Sequence, residues 1–178
     1  MKRNLFKTAE LSYIALGAAL ITVCAWITVP FTVPFTMQIF AVFLSLILLG
    51  GRNGTIAVGV YLLLGAIGIP VFSGGKGGFS VLIGPTGGYL FGMLPIGAAY
   101  WIGTRLFGKK LWVEVALLVF GLLLCYAFGT VWFSILNAEK SFFASLLVCV
   151  VPFLLPDALK LALALALGRK LRKRMQTV

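Results

Sequence analysis

The chain has 178 residues, of which 61% are hydrophobic and 11% charged, with a mean hydropathy of +1.10. A soluble domain carries about 25% charged residues, so this composition excludes one and defines an integral membrane protein. Four acidic residues and no histidine argue against an enzyme. The formal charge of +11 does not point to nucleic acid, because the basic residues sit at the ends of apolar runs, as anchors to anionic lipid do.

Crossing the hydrocarbon core takes about 20 helical residues. The first candidate is Leu11–Val29, free of charge and ended by Pro30 and Pro34. A second helix is expected over Met37–Leu49, a compact turn over Gly50–Gly54, and a third helix over Thr55–Ile69. After a glycine-rich loop come a fourth helix over Pro85–Thr104, a fifth over Leu111–Phe133 and a sixth over Phe142–Leu167, with a basic tail at Arg169–Arg174. The reading is a single all-α domain, residues 1–178, with six transmembrane helices. Six crossings put both termini on one side. That side then holds Lys2, Arg3, Lys7, Arg52, Arg105, Lys109, Lys110 and the tail, against Lys76 and Lys140 on the other. The positive-inside rule therefore makes the termini cytoplasmic and the glycine-rich loop, between helices 3 and 4, extracellular. The localisation expected is the cytoplasmic membrane, multi-pass.

That loop, GIPVFSGGKGGFSVLIGPTGGYLFG over Gly68–Gly92, is the least regular stretch of the chain. Its glycines and prolines oppose helix, yet Val71, Phe72, Phe79 and Val81–Ile83 are too apolar for a solvated linker. Irregular backbone at membrane depth is tolerated where it lines a cavity, so the loop is expected to be lid and wall of a ligand site. It is not a phosphate-binding loop: Lys76 is followed by Gly77, and Pro70 replaces the first glycine of that motif.

Asp157 and Lys160 lie inside the sixth helix, in VVPFLLPDALKLALALAL. Their i,i+3 spacing puts them on one helix face, and charges at that depth turn to the bundle interior and pair. A mutual salt bridge would serve packing alone; binding of a polar ligand group is the reading favoured, since Pro152 and Pro156 free backbone carbonyls beside the pair. Gln38, Thr86 and Tyr89 are expected at the depth of the loop, as ligand contacts or interfacial residues. Trp26 and Trp132 read as aromatic-belt residues. Glu114, in the first turn of helix 5, is explained by the helix dipole, and Glu10 and Glu139 read as solvated. Cys24, Cys125 and Cys149 have no metal-like spacing and read as small core residues. Ala15 and Ala19, with Gly17 and Ala18, form a small-residue patch that suits either internal packing or a docking face.

Together, VPFTMQ (Val33–Gln38), GIPVFSGGKGG (Gly68–Gly78), GPTGGYLFG (Gly84–Gly92) and PDALK (Pro156–Lys160) resemble the BioY family over essentially the whole chain. These are the biotin-specific substrate-binding components, or S-components, of energy-coupling factor transporters. The resemblance implies capture of biotin from outside, with no cofactor. It also implies delivery inward through a transmembrane coupling subunit and two ATP-binding subunits, to which Ala15 and Ala19 match the A-x-x-x-A docking pattern. On this view Asp157 accepts from the ureido N–H groups of biotin while Lys160 donates to its carbonyl; equally, Lys160 holds the carboxylate. Gln38, Tyr89, Thr86 and the backbone at Gly75, Gly77 and Gly78 would complete the polar set, with Phe79 covering the rings. The alternative is an S-component for another vitamin, thiamine or riboflavin. A membrane scaffold without a ligand is the rival of a different class, and a panel of vitamins separates the three.

Overall fold

The computed structural model describes residues 8–30, 34–137 and 142–175; Lys2, Arg3, Lys7, Glu139 and Lys140 of the readings above lie outside them. Helix α1 is Thr8–Trp26, three residues shorter at its C-terminal end than expected. The reason is local. Pro30 disfavours helix in the residue before it, and Thr28–Val29 instead form a short strand, β1, paired antiparallel with β2 at Phe35–Thr36.

Helix α2 runs from Gln38 to Ala66 and joins the second and third expected helices, ending three residues short of the expected Ile69. The expected five-residue turn contracts to one residue, Gly50, at φ 81° and ψ 163°. An L side chain adopts that φ only under strain, so glycine is the residue that can fold two helical arms back on each other there. Arg52 and Asn53 belong to the second arm. The glycine-rich stretch that follows contains a 3-10 turn at Ser73–Gly75 and a short helix, α3, at Phe79–Ile83. Helix α4 is Gly87–Phe107 and α5 is Leu111–Leu136.

The expected sixth helix is two: α6 (Phe142–Cys149) and α7 (Val151–Met175). Pro152 has no N–H to give the preceding turn, so the ladder stops at Val150 and restarts with the proline in the first turn of α7. At its other end α7 does not stop at Leu167 but carries the basic tail as helix to Met175. Among the described residues, four helical stretches are long and apolar enough to cross a membrane: Thr8–Trp26, Gln38–Ala66, Leu111–Leu136 and Ser145–Arg174.

Helix α2 is the centre of the bundle. It packs on α1, α4 and α7, and α4 in turn packs along α5. The core between them holds Val42, Phe43, Leu46, Tyr61, Ile96 and Leu118, all buried.

The helical tail explains a residue that local reasoning misjudged. Glu114 sits in the first turn of α5, but it is fully buried and its role is tertiary. Its Oε1 accepts from Tyr100 Oη on α4 and from Arg172 Nη1 on α7, both at 2.8 Å, while Arg169 Nη1 lies 3.4 Å from Oε2. Arg172 also donates to the Ile47 carbonyl of α2 at 3.4 Å. Four helix segments are thus tied at the end of the bundle away from the glycine-rich loop. Removing one partner of a buried ion pair leaves the other uncompensated. Glu114→Ala is therefore expected to lower stability by about 3 kcal/mol, read as a fall in the unfolding midpoint in detergent.

Candidate functional site

At the loop end of the bundle a cavity of about 490 Å³ opens between α2, α4, α5 and α7. Its floor is the Asp157–Lys160 pair. Both residues are buried, at 3% and 5% exposure, and Lys160 Nζ donates to Asp157 Oδ1 at 2.7 Å. The second carboxylate oxygen, Oδ2, accepts from Tyr126 Oη of α5 at 2.5 Å. The ammonium has an aromatic partner as well, lying 4.0 Å from the centroid of the Phe35 ring in β2, which itself stacks on Phe153 at 6.3 Å. Each charge therefore has compensation on two sides, which is what burial at this depth requires.

Gln38, the first residue of α2, is buried on the cavity wall. Its Nε2 donates to Tyr61 Oη at 2.8 Å and to Met93 Sδ at 3.3 Å, so the amide nitrogen is spent on the protein. Its carbonyl oxygen is then the group it can offer a ligand. Tyr89 and Thr86 line the cavity at the start of α4, with Tyr89 Oη 3.2 Å from Thr130 Oγ1. The remaining wall is largely apolar, including Ile39, Leu90, Met93 and Phe153.

The lid is the stretch from Phe72 to Lys76, closed as a small loop by Phe72 N–H to the Lys76 carbonyl at 2.8 Å. Phe72 fixes it to the bundle. Its ring packs against Gly65 of α2 so closely that any Cβ there would overlap it, and it meets Tyr61 edge-on at 5.5 Å. The two tryptophans expected in an aromatic belt also tie the glycine-rich stretch on either side of the lid: Trp26 Nε1 donates to the Pro70 carbonyl at 2.9 Å and Trp132 Nε1 to that of Gly84, beyond α3, at 3.0 Å. Ser73 Oγ lies 2.9 Å from Thr28 Oγ1, joining lid to β1.

Of the residues expected at the site from sequence, Asp157, Lys160, Gln38, Tyr89 and Thr86 converge on the cavity. Phe79, Gly75, Gly77 and Gly78 do not line it. Phe79 is 63% exposed on α3 and turns outward. Gly78 donates to the Gly65 carbonyl at 2.7 Å, Gly77 backs onto the Ile69 carbonyl, and Gly75 donates to Phe72 at 3.0 Å, so Gly75 shapes the lid while Gly77 and Gly78 anchor the chain just after it. The lid residues that reach the cavity are Phe72, Ser73, Gly74 and Lys76. Tyr126 and Phe35 were not foreseen, because an aromatic residue within an apolar run carries no sign of its tertiary partner. Cys125 and Cys149, neither of them in a disulfide, also line the cavity. Ala15 and Ala19 lie on the exposed face of α1, whereas Gly17 and Ala18 face α2.

Among the charged residues lining the cavity, one is acidic, Asp157, and two are basic, Lys160 and Lys76. A chamber with an apolar wall, a buried ion pair and one surplus positive charge suits a small, partly apolar molecule bearing an anionic group. Bundle and chamber together define a multi-pass membrane protein that binds a solute. The match to known proteins narrows this. The model of the BioY family matches residues 1–177, and the chain belongs to that family. It is 45% identical over 159 residues to "Biotin transporter BioY" of Thermotoga maritima, covering 87% of this chain and 90% of that protein. It is 38% identical over 168 residues to "Probable biotin transporter BioY" of Pyrococcus horikoshii, covering 93% and 98%. A crystal structure of the S-component for biotin from an ECF-type ABC transporter has a TM-score of 0.84 and 30% identity, covering 97% of this chain and 95% of that one.

The ion pair makes a stability prediction independent of any ligand. Lys160→Met leaves Asp157 buried without its counter-charge and should cost about 3 kcal/mol. The double change Asp157→Asn with Lys160→Met should recover most of that loss. Unfolding midpoints of the ligand-free protein in detergent check both.

Proposed function

We propose that this chain captures biotin at the outer face of the cytoplasmic membrane and is the substrate-binding component of an energy-coupling factor transporter. The observation that carries the reading is the buried Asp157–Lys160 pair at the floor of a lidded, mostly apolar chamber. Biotin combines a fused apolar ring, a ureido group with two N–H donors and one carbonyl, and a carboxylate tail. The chamber supplies an aliphatic and aromatic wall for the ring and an acceptor and a donor side by side for the ureido group. Lys76 at the lid is a cation for the tail. At about 490 Å³ the chamber has the size of a small-ligand site. Asp157 Oδ1 and Oδ2 each hold one donor already, and each has a further lone pair for a ureido N–H. Lys160 has N–H groups beyond the one given to Asp157, available to the ureido carbonyl. The competing arrangement places the carboxylate on Lys160; Lys76 at the mouth favours the first. The same surplus of positive charge disfavours thiamine, a cation, as the alternative cargo.

In this reading the chain crosses the membrane six times: α1, the two arms of α2, α4, α5, and α6 with α7. Its termini are cytoplasmic and its lid extracellular, as the distribution of lysine and arginine supports. Release inward depends on a transmembrane coupling subunit and two ATP-binding subunits. The exposed Ala15 and Ala19 on α1 are the small-residue face on which the coupling subunit packs.

Equilibrium binding of biotin to the detergent-purified chain tests the first part. Wild type should bind tightly, and Asp157→Asn or Lys160→Ala should each weaken binding by about a hundredfold or more, since each removes a charge-assisted hydrogen bond and leaves its partner unmatched. Unchanged affinity in both variants would refute the assignment. A bulky pair, Ala15→Trp with Ala19→Trp, should leave biotin affinity within about twofold, being remote from the cavity, and abolish co-purification with the coupling subunit.

A further inference from the structure

Tyr126 is a second-helix partner of the acidic residue at the cavity floor, and its position is not a by-product of helix packing. Helix α7, which carries Asp157 and Lys160, leans on α2 along its length and barely touches α5. Tyr126 reaches across from α5, buried at 7% exposure, and places its hydroxyl 2.5 Å from Asp157 Oδ2. Lys160, from α7 itself, takes Oδ1 at 2.7 Å. A phenylalanine would fill the same space without the hydroxyl.

The terminal torsion of an aspartate is broad and roughly two-fold, so a carboxylate held at one oxygen can still swing. Two donors from different helices, one on each oxygen, remove that freedom. The oxygens have about four lone-pair sites between them, and two remain. Asp157 and Tyr126 both line the cavity. We propose that Tyr126 is the positioning residue that holds the Asp157 carboxylate plane in one orientation, so that its remaining lone pairs meet the N–H donors of the bound solute. This rests on the reading of the site given above. Tyr126 acts through Asp157. Its hydroxyl decides where the acceptor points, and Lys160 is left with donors for the solute carbonyl. Cys125, the neighbour of Tyr126 on α5, and Tyr89 of α4 are the other titratable groups close by, and the cavity holds both.

The experiment measures biotin affinity and unfolding midpoint for the full chain as wild type, Tyr126→Phe, Asp157→Asn and the double variant. Tyr126→Phe should weaken biotin by between about tenfold and a hundredfold, the range for a hydrogen bond to a charged group. In the Asp157→Asn background the same change should cost less than about twofold, because the group it orients is already altered. A structural role alone would lower the midpoint and would leave the effect of Tyr126→Phe on affinity equal in both backgrounds, or absent; either result overturns the proposal while the biotin assignment stands. A well-folded wild type that binds no biotin removes the assignment and the proposal with it. Should Tyr126→Phe fail to fold, 3-fluorotyrosine at position 126 keeps the ring and hydroxyl. Its fluorine resonance should move on addition of biotin to the otherwise native chain, and an unmoved resonance would count against the proposal.

Discussion

A charge placed in hydrocarbon must find its opposite within hydrogen-bond reach, and the arrangement of this protein follows from how Asp157 and Lys160 meet that demand. On one helix face, three residues apart, they neutralise each other. That alone would leave a carboxylate oxygen and an ammonium partly bare. The bare oxygen is met by Tyr126 from α5 and the ammonium by the Phe35 ring from the β-hairpin. Satisfying two charges on α7 therefore draws in two other elements. The chamber is what lies between them. Its polar floor and apolar walls are consequences of the same requirement: the polar groups concentrate where they can bond one another, and the remaining lining is largely apolar.

A second polar tie, at the opposite end of α5 and α7, complements the first. Glu114 with Arg172 and Arg169 joins the same two helices that Tyr126 and Asp157 join. Because α7 and α5 pack so little against each other, these side-chain bonds set the separation of the two helices. The cavity lies between them at the Tyr126–Asp157 end.

What the amino-acid order disclosed, and what it hid, divides along a physical line. Asp157 and Lys160 were legible because charge in an apolar helix stands out against its background, and Gln38, Thr86 and Tyr89 because they flank a break in apolar sequence. The glycine-rich stretch was legible as irregular backbone beside a cavity, but not in detail. Phe79 is expected over the ligand rings in the arrangement that the family resemblance suggests, yet it sits on a five-residue helix and turns outward. Helix ends went astray where one residue changes the local balance: Pro152 divides a run that is apolar throughout, and Gly50 replaces a longer turn. The partners of Glu114 were beyond reach, since Arg172 is 58 residues away and reaches it only after α7 continues through the basic tail. Tyr126 belongs to the same category. Local patterns show which residues are unusual; they do not show which ones meet.

The glycine-rich stretch is tied by Trp26 at Pro70 and by Trp132 at Gly84, and its lid segment, Phe72–Lys76, is anchored at its start by Phe72 against Gly65. Between Phe72 and Lys76 the backbone closes on itself, and Ser73 is held to Thr28 of β1. Short loop segments rearrange in nanoseconds to microseconds, far faster than helices unpack. If the chamber holds biotin as proposed, a change confined to these few residues opens its mouth while the helices beneath stay packed. Lys76 rides on that segment, so the same small movement would also withdraw the cation proposed for the tail of the ligand.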